Sequence, residues 1–168
     1  MKIGIMADSH ENMPMIAKAV EYFNQVQVDL VLHAGDIISP ITCKEFKHLN
    51  SKLIAVFGNN DGERALLTKK FNELKIEIYQ APYELTIVGK RILLYHIPDF
   101  LDDLIKSGAY DVIIYGHTHT VDVREGKTLV INPGECGGWL TNNCTVGILT
   151  LPECRVEIVN MENKCEKK

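Results

Sequence analysis

Short apolar runs that end in a metal-capable side chain recur along this chain, and their repetition constrains the fold more than any other feature. Residues 1–7 lead into Asp8 and His10, residues 29–33 lead to Gly35 and Asp36, and residues 52–57 lead to Gly58 and Asn59. Further on, Leu93, Leu94 and Tyr95 precede His96, and Ile113, Ile114, Tyr115 and Gly116 precede His117 and His119. Runs this short read as buried strands rather than helices. In an open α/β sheet the crevice beyond the carboxyl ends of the strands is where ligands bind, so these side chains are expected to converge. A glycine directly before Asp36, Asn59 and His117 would let the backbone turn sharply and approach a bound ion.

Helical spacing separates the first runs. Asn12 can cap a helix, Pro14 suits its first turn, and Ile16, Ala19, Val20 and Phe23 recur on one face. A second helix is expected over residues 40–49. Strand and helix alternation implies a parallel sheet. In the second half, strands are expected at residues 83–88, 91–95, 111–115, 128–131, 145–149 and 155–159. Tight turns fall at 89–90, 125–127 and 151–153, and one helix falls near 100–106. The sum is an α/β (α+β) chain in which two mixed sheets pack face to face with helices outside, in four layers.

A length of 168 residues suits one domain with a real core. Residues from about 161 to 168 read as a loose solvated tail, in which Lys164, Lys167 and Lys168 are interleaved with Glu162 and Glu166. Apolar residues at 46% and charged residues at 24% exclude a disordered chain and a membrane protein. The first apolar run reaches Asp8 too early for a signal peptide or a spanning helix. Five cysteines without a C-x-x-C pair fit a reducing cytoplasm. A net charge of −4 argues against broad electrostatic capture of nucleic acid, which is expected only as a substrate.

Taken singly, each polar residue has an ordinary reading. Asp36 can cap a helix, Asn59 beside Asn60 and Asp61 suits a turn, and a lone histidine such as His96 is more often a hydrogen-bonded core residue. His33 and His48 stay in that class. His10 with Asp8, and His117 with His119, are stronger as pairs, because side chains at i and i+2 can face one ion from an irregular loop. The combination decides the matter: two carboxylates, four histidines and one amide fall at successive strand ends. Mixed imidazole and oxygen donors suit Mn²⁺, Ni²⁺, Fe²⁺, Co²⁺ or Zn²⁺ better than Mg²⁺ or Ca²⁺. Seven donors exceed one zinc-like ion and suffice for two ions that share a carboxylate.

In order, Asp8-x-His10, Gly35-Asp36, Gly58-Asn59-x-Asp61, His96 and Gly116-His117-x-His119 resemble the calcineurin-like metallophosphoesterase superfamily, over nearly the whole chain. The segments 58–63 (GNNDGE), 115–119 (YGHTH) and 131–135 (INPGE) are similar to the small archaeal and bacterial phosphodiesterases of the YfcE-like branch. The resemblance implies a four-layer αββα sandwich. It also implies a binuclear centre of two divalent transition-metal ions, Mn²⁺ or Ni²⁺ before Fe²⁺, Co²⁺ or Zn²⁺. Asp8, His10 and His119 would hold one ion, Asn59, His96 and His117 the other, and Asp36 would bridge them. Two cations about 3.5–4 Å apart clamp phosphoryl oxygens, and a hydroxide bridging them attacks phosphorus. Asp36, Asn59 and His117 would then carry the catalysis, with Asp61 orienting a neighbouring ligand.

Two departures from the family pattern bear on function. Asn60 stands where many members carry a leaving-group-protonating histidine, and an amide is no general acid near neutral pH. That favours activated or aryl phosphodiesters. Ile97 and Pro98 follow His96 where relatives often have glycine and histidine, so the pocket there should differ. Competing readings are an interaction scaffold like the small retromer subunit, and a phosphomonoesterase or nuclease with Arg64 as its nearby cation. A (β/α)₈ amidohydrolase does not suit this length, since such a barrel typically takes about 250 residues. Residues 132–135 form either a plain turn or part of the site. The loop with Cys136 and Trp139 lines either a pocket or a subunit contact, which leaves a homodimer or larger homo-oligomer open.

Overall fold

The computed structural model describes residues 1–161, so all but the first residue of the expected charged tail lies outside the described residues. In chain order the elements are β1 (Lys2–Met6), α1 (Met13–Gln25), β2 (Leu30–His33), α2 (Cys43–Phe46), β3 (Lys52–Val56), α3 (Arg64–Glu73), β4 (Glu77–Tyr79) and β5 (Tyr83–Ile87). They continue with β6 (Lys90–Leu94), α4 (Leu101–Ser107), β7 (Val112–Ile114), β8 (Val121–Arg124), β9 (Leu129–Pro133), β10 (Thr145–Thr150) and β11 (Arg155–Asn160). One sheet has six strands in the order β11-β10-β1-β2-β3-β4, and the other has five in the order β5-β6-β7-β9-β8.

Both sheets are mixed. β1 to β4 pair in parallel, while β10 runs antiparallel to β1 and to β11. In the second sheet β6, β7 and β9 are parallel, with antiparallel β5 and β8 at its edges.

Alternation along each strand divides the core into layers, because successive side chains leave opposite faces of a sheet. Ile3, Ile5, Leu30 and Leu32 of the first sheet pack with Ile92, Leu94, Val112, Ile114 and Ile131 of the second. Met6, Val31, Leu53 and Ala55 face the other way, onto Ile16, Val20 and Phe23 of α1 and Leu67 and Phe71 of α3. On the far side, Leu93, Tyr95, Ile113 and Tyr115 pack with Leu101, Leu104 and Ile105 of α4. The result is the expected αββα sandwich. Phe23 reaches the sheet over Gly4, where an added Cβ would sit 2.8 Å from the ring. At roughly 1.5–3 kcal/mol for each large apolar side chain buried, these three clusters hold the fold together.

The helix expected over residues 40–49 is shorter in the structure. Pro40–Thr42 form a 3₁₀ turn, α2 adds only Cys43–Phe46, and the chain then leaves the helical path. Asn24 of α1 takes over there: its amide donates to the His48 carbonyl and its Oδ1 accepts from Asn50 N. Helix α3 and strands β4 and β8 are additions to the sequence reading. β4 has three residues, β8 buries none of its side chains, and α3 buries only Leu67 and Phe71, so each carries too little apolar periodicity to register. Among the described residues no helix is long and apolar enough to cross a membrane.

Candidate metal centre

All seven expected donors gather at one edge of the sandwich, where the carboxyl ends of β1, β2 and β3 meet those of β6 and β7. The ligand atoms of Asp8, His10 and His119 lie within 4.8 Å of one another, and so do those of Asp8, Asp36 and His96. Asp8 and Asp36 are completely buried. His117 is exposed and stands edge-on to His96, with ring centroids 5.2 Å apart. Asn59 approaches the same histidine, its Oδ1 lying 2.9 Å from His96 Nε2.

The backbone is strained where the donors sit. Asp8, His10, Asp36, His117 and His119 all have positive φ, between 41° and 68°. Left-handed backbone is unfavourable for these residues outside glycine-like turns, and its clustering at one place marks a functional site. The neighbouring glycines serve chiefly close approach rather than turning. Gly35 does adopt φ +95°, and a Cβ there would also lie 2.8 Å from both Gly58 N and His96 Nδ1. Gly58 and Gly116 do not have positive φ. Their missing side chains admit Asp36 and Asp8 instead, since Cβ atoms there would meet Asp36 N at 2.6 Å and Asp8 Oδ2 at 2.9 Å.

Electrostatically the two carboxylates differ. Burial pushes the Asp8 carboxyl up to about 6, against the pull of His96 and His119. Burial also raises Asp36, but the His96 ring and the donors of Asn60 outweigh it and hold Asp36 well below the usual carboxylate range. Asn60 N donates to Asp36 Oδ1 at 2.9 Å and its amide to Oδ2 at 2.7 Å. Asn60 is therefore a clamp on the buried carboxylate.

The histidines turn ring nitrogens toward these oxygens. His96 Nδ1 lies 2.8 Å from the Ala34 carbonyl, to which it can only donate. Burial opposes a charge on this ring, yet Asp36 and Asp8 raise its pKa, so Nε2, facing Asn59 Oδ1 and, 3.4 Å away, Asp36 Oδ2, is a position for a proton or a metal ion. His119 repeats the device: Nδ1 donates to Glu135 at 2.8 Å, and Nε2 faces Asp8 Oδ1 at 3.8 Å. Nε2 of His10 is buried without a hydrogen-bond partner, although Asp36 Oδ2 is 3.4 Å away. Acceptors facing acceptors, with an orphaned ring nitrogen among them, are unfavourable unless a cation or proton lies between them. The donor set fits divalent transition metals.

Two further carboxylates support the cluster. Asp61 is buried and accepts from four backbone N–H groups: Asp36 (3.1 Å), Ile37 (2.7 Å), Ile38 (2.6 Å) and Gly58 (2.6 Å). Its oxygens tie the ends of β2 and β3 together. Glu135 accepts from Leu140 N and from both N and Oγ1 of Thr141, besides holding His119. Residues 132–135, left open between a plain turn and part of the site, thus adjoin the cluster, and Glu135 supports His119, a role the sequence did not single out. Its signal was present: Gly134-Glu135 after β9 repeats the Gly35-Asp36 pattern after β2. Trp139, 63% exposed, donates from Nε1 to the His10 carbonyl at 3.0 Å, so its loop borders the centre. Cys136 is completely buried.

His33 belongs to the core. Its Nδ1 accepts from Gly35 N at 3.1 Å, so its Nε2 donates to Ser9 Oγ at 3.0 Å, and burial pushes its pKa down to about 3.

Residues 1–153 match the calcineurin-like phosphoesterase superfamily domain. Phosphodiesterase MJ0936 of Methanocaldococcus jannaschii is 48% identical over 153 residues, spanning 89% of this chain and 92% of that protein. Phosphodiesterase YfcE of Escherichia coli K12 is 28% identical over 150 residues, spanning 80% of this chain and 78% of the relative. A solved structure of an archaeal phosphodiesterase superposes with a TM-score of 0.89 at 42% identity, covering 95% of this chain and 99% of its own. A family match over nearly the whole chain, and a fold and buried Asp/His cluster that agree with it, place this protein in the calcineurin-like phosphoesterase superfamily.

Proposed function

We propose that the chain is a two-metal phosphodiesterase acting on activated or aryl phosphodiesters. The observation that carries this reading is the convergence of Asp8, His10, Asp36, His96 and His119 on one cluster, with ring nitrogens facing carboxylate oxygens. Its family membership and its likeness to proteins named as phosphodiesterases support the same reaction. Asp8, His10 and His119 would hold one ion and Asn59, His96 and His117 the other, with Asp36 shared. Mn²⁺ or Ni²⁺ is the first candidate for both positions. Bound there, such a pair offsets charge on the phosphoryl oxygens and acidifies a water.

The chain's own residues supply position. Asn60 fixes Asp36, Asp61 fixes the backbone on both sides of it, and Glu135 fixes the tautomer of His119. Partners of this kind usually tune a metal site by orienting its ligands. Hydrolysis adds water to phosphorus and breaks one P–O ester bond, giving a phosphomonoester and an alcohol. With Asn60 tied to Asp36, nothing at that position protonates the leaving oxygen. General acid catalysis is worth roughly 10² to 10⁴ in rate, so stable leaving groups such as aryl oxides are favoured.

Arg64 bears on the choice between diester and monoester. Its three nitrogens donate to the carbonyls of Asp61 and Gly58 and to Gln80, and its guanidinium lies over Phe57. It is fixed to the wall beside the cluster by neutral acceptors that leave its charge intact, so a dianionic monoester can still draw on it and paired assays rank the two substrates. Hydrolysis of bis-p-nitrophenyl phosphate by protein loaded with Mn²⁺, beside a metal-free control, tests the proposal. Equal rates in the two samples would remove it, and faster cleavage of p-nitrophenyl phosphate would overturn the diester preference.

A further inference from the structure

A cleft of about 590 Å³ opens directly beside the cluster and shares Asn59 and His96 with it. Its walls are aromatic: Phe57, Tyr95, Phe100 and Tyr110 all line it. From this we infer that the cleft receives a planar aromatic ester group of the phosphodiester, either a nucleobase or a simple aryl ring. The inference rests on the proposed phosphodiesterase reading and specifies its substrate class.

Three observations carry it. The first is continuity, since a phosphate held at Asn59 and His96 would send one of its ester groups along this cleft. Its volume lies in the range usual for small-ligand sites, roughly 300–1,000 Å³.

The second is Phe100. This residue is 79% exposed and has φ +59°, a conformation that is costly for a bulky side chain. An aromatic ring held out in solvent on strained backbone contributes little to folding, whereas at the mouth of a cleft it offers a face on which another ring can stack. Ile97, 38% exposed, lines the same cleft immediately after His96.

The third is charge. Lining cations and anions comprise Arg64, whose donors are engaged as described, against Glu84 and Asp99. Glu84 is itself bonded to Arg91 and to the Tyr110 hydroxyl. With Glu84 paired to Arg91, the lining charge left is Arg64 against Asp99, so the cleft has no net positive charge to draw in a second phosphate and suits an uncharged group. The acceptors Glu84 and Asp99 at the wall suit the N–H edges of a base. Tyr95 adds a buried hydroxyl without a hydrogen-bond partner, a cost that a polar ligand atom reaching it would remove.

Calorimetric titration of the Mn²⁺-loaded protein with methylphosphonate, phenylphosphonate and thymidine 5′-phosphate tests this without relying on turnover. All three probes present a phosphoryl head, and they differ in the attached group. The expected result is binding of at least one aromatic probe about tenfold tighter than methylphosphonate, in line with single-ring stacking. That ratio should fall toward one in the Phe100→Ala/Tyr110→Ala double variant and recover in Phe100→Trp. Tighter binding of thymidine 5′-phosphate than of phenylphosphonate identifies a nucleoside ester, and the reverse order identifies a simple aryl ester. A ratio near one in the unmodified protein, or an undiminished ratio in the double variant, overturns the proposal. Loss of the metal site would weaken all three probes together. Absence of diester hydrolysis, with the aromatic preference intact, would instead sink the phosphodiesterase reading.

Discussion

The two sheets contribute to the centre in different chemical currencies. The first sheet, through the ends of β1, β2 and β3, supplies Asp8, Asp36 and Asn59, oxygen donors, with His10 as the exception. The second, through β6 and β7, supplies His96, His117 and His119. The carboxylates are buried and gripped by backbone: His117 N donates to both oxygens of Asp8 at 3.1 and 3.0 Å, and Asn60 grips Asp36. Two of the imidazoles are instead aimed by a single acceptor on the far ring nitrogen, Ala34 O for His96 and Glu135 for His119. Oxygen donors here are set by the chain path, and nitrogen donors by one remote contact each. The oxygen side should therefore tolerate no change, while the nitrogen side should be tunable.

The most severe test removes one donor from each side. Asp36→Asn and His117→Ala should both reduce hydrolysis of bis-p-nitrophenyl phosphate to the level of the metal-free control. Retained activity in both would dismantle the proposed centre. The next test is gentler, because Glu135→Gln keeps the shape and removes only the charge that aims His119. Metal affinity or activity should fall about 10- to 100-fold, as is usual for such supporting partners, with the circular dichroism spectrum unchanged. An effect as complete as that of Asp36→Asn would erase the distinction between the two sides.

Asp61→Ala probes the backbone grip on the oxygen side. Leaving four buried N–H groups without their acceptor should cost about 3 kcal/mol in urea unfolding, with activity lost in step as β2 and β3 loosen. A fully stable variant would show that the grip is dispensable. The effect that is smallest at neutral pH lies just behind the cluster. His33 is satisfied only when neutral and its folded pKa is depressed to about 3, so the unfolded chain binds its proton first as pH falls below about 6.5. Stability conferred by the neutral ring is thus present above that pH and is lost on acidification between roughly 6.5 and 3. His33→Gln should flatten the pH dependence of unfolding in this window by up to about 1.4 kcal/mol per pH unit. An unchanged slope would show that His33 is not the titrating group.

The pattern of apolar runs ending in Asp, Asn or His was enough to single out the side chains that gather in the cluster, because strand-end chemistry is local in sequence. Helix α1 was equally plain from Asn12, Pro14 and the Ile16 to Phe23 stripe. The strands β4 and β8 escaped, since three or four residues carry too little periodicity to be recognised, and α3 escaped because it buries only Leu67 and Phe71. Glu135 escaped for another reason. Its partner is His119, and nothing in the spacing of an acidic residue after a strand says which distant ring it will meet.

From the amino-acid sequence came the candidate donors at the strand ends, their mixture of oxygen and nitrogen, and the resemblance to one superfamily. Tertiary structure alone decided that Asn60 clamps Asp36, that Arg64 is tethered to the wall, that Glu135 orients His119, and that an aromatic cleft adjoins the centre. The division has a physical basis. Donor type and position along a strand are properties of neighbouring residues, whereas the direction of a side chain and the identity of its partner depend on how two separately built sheets pack.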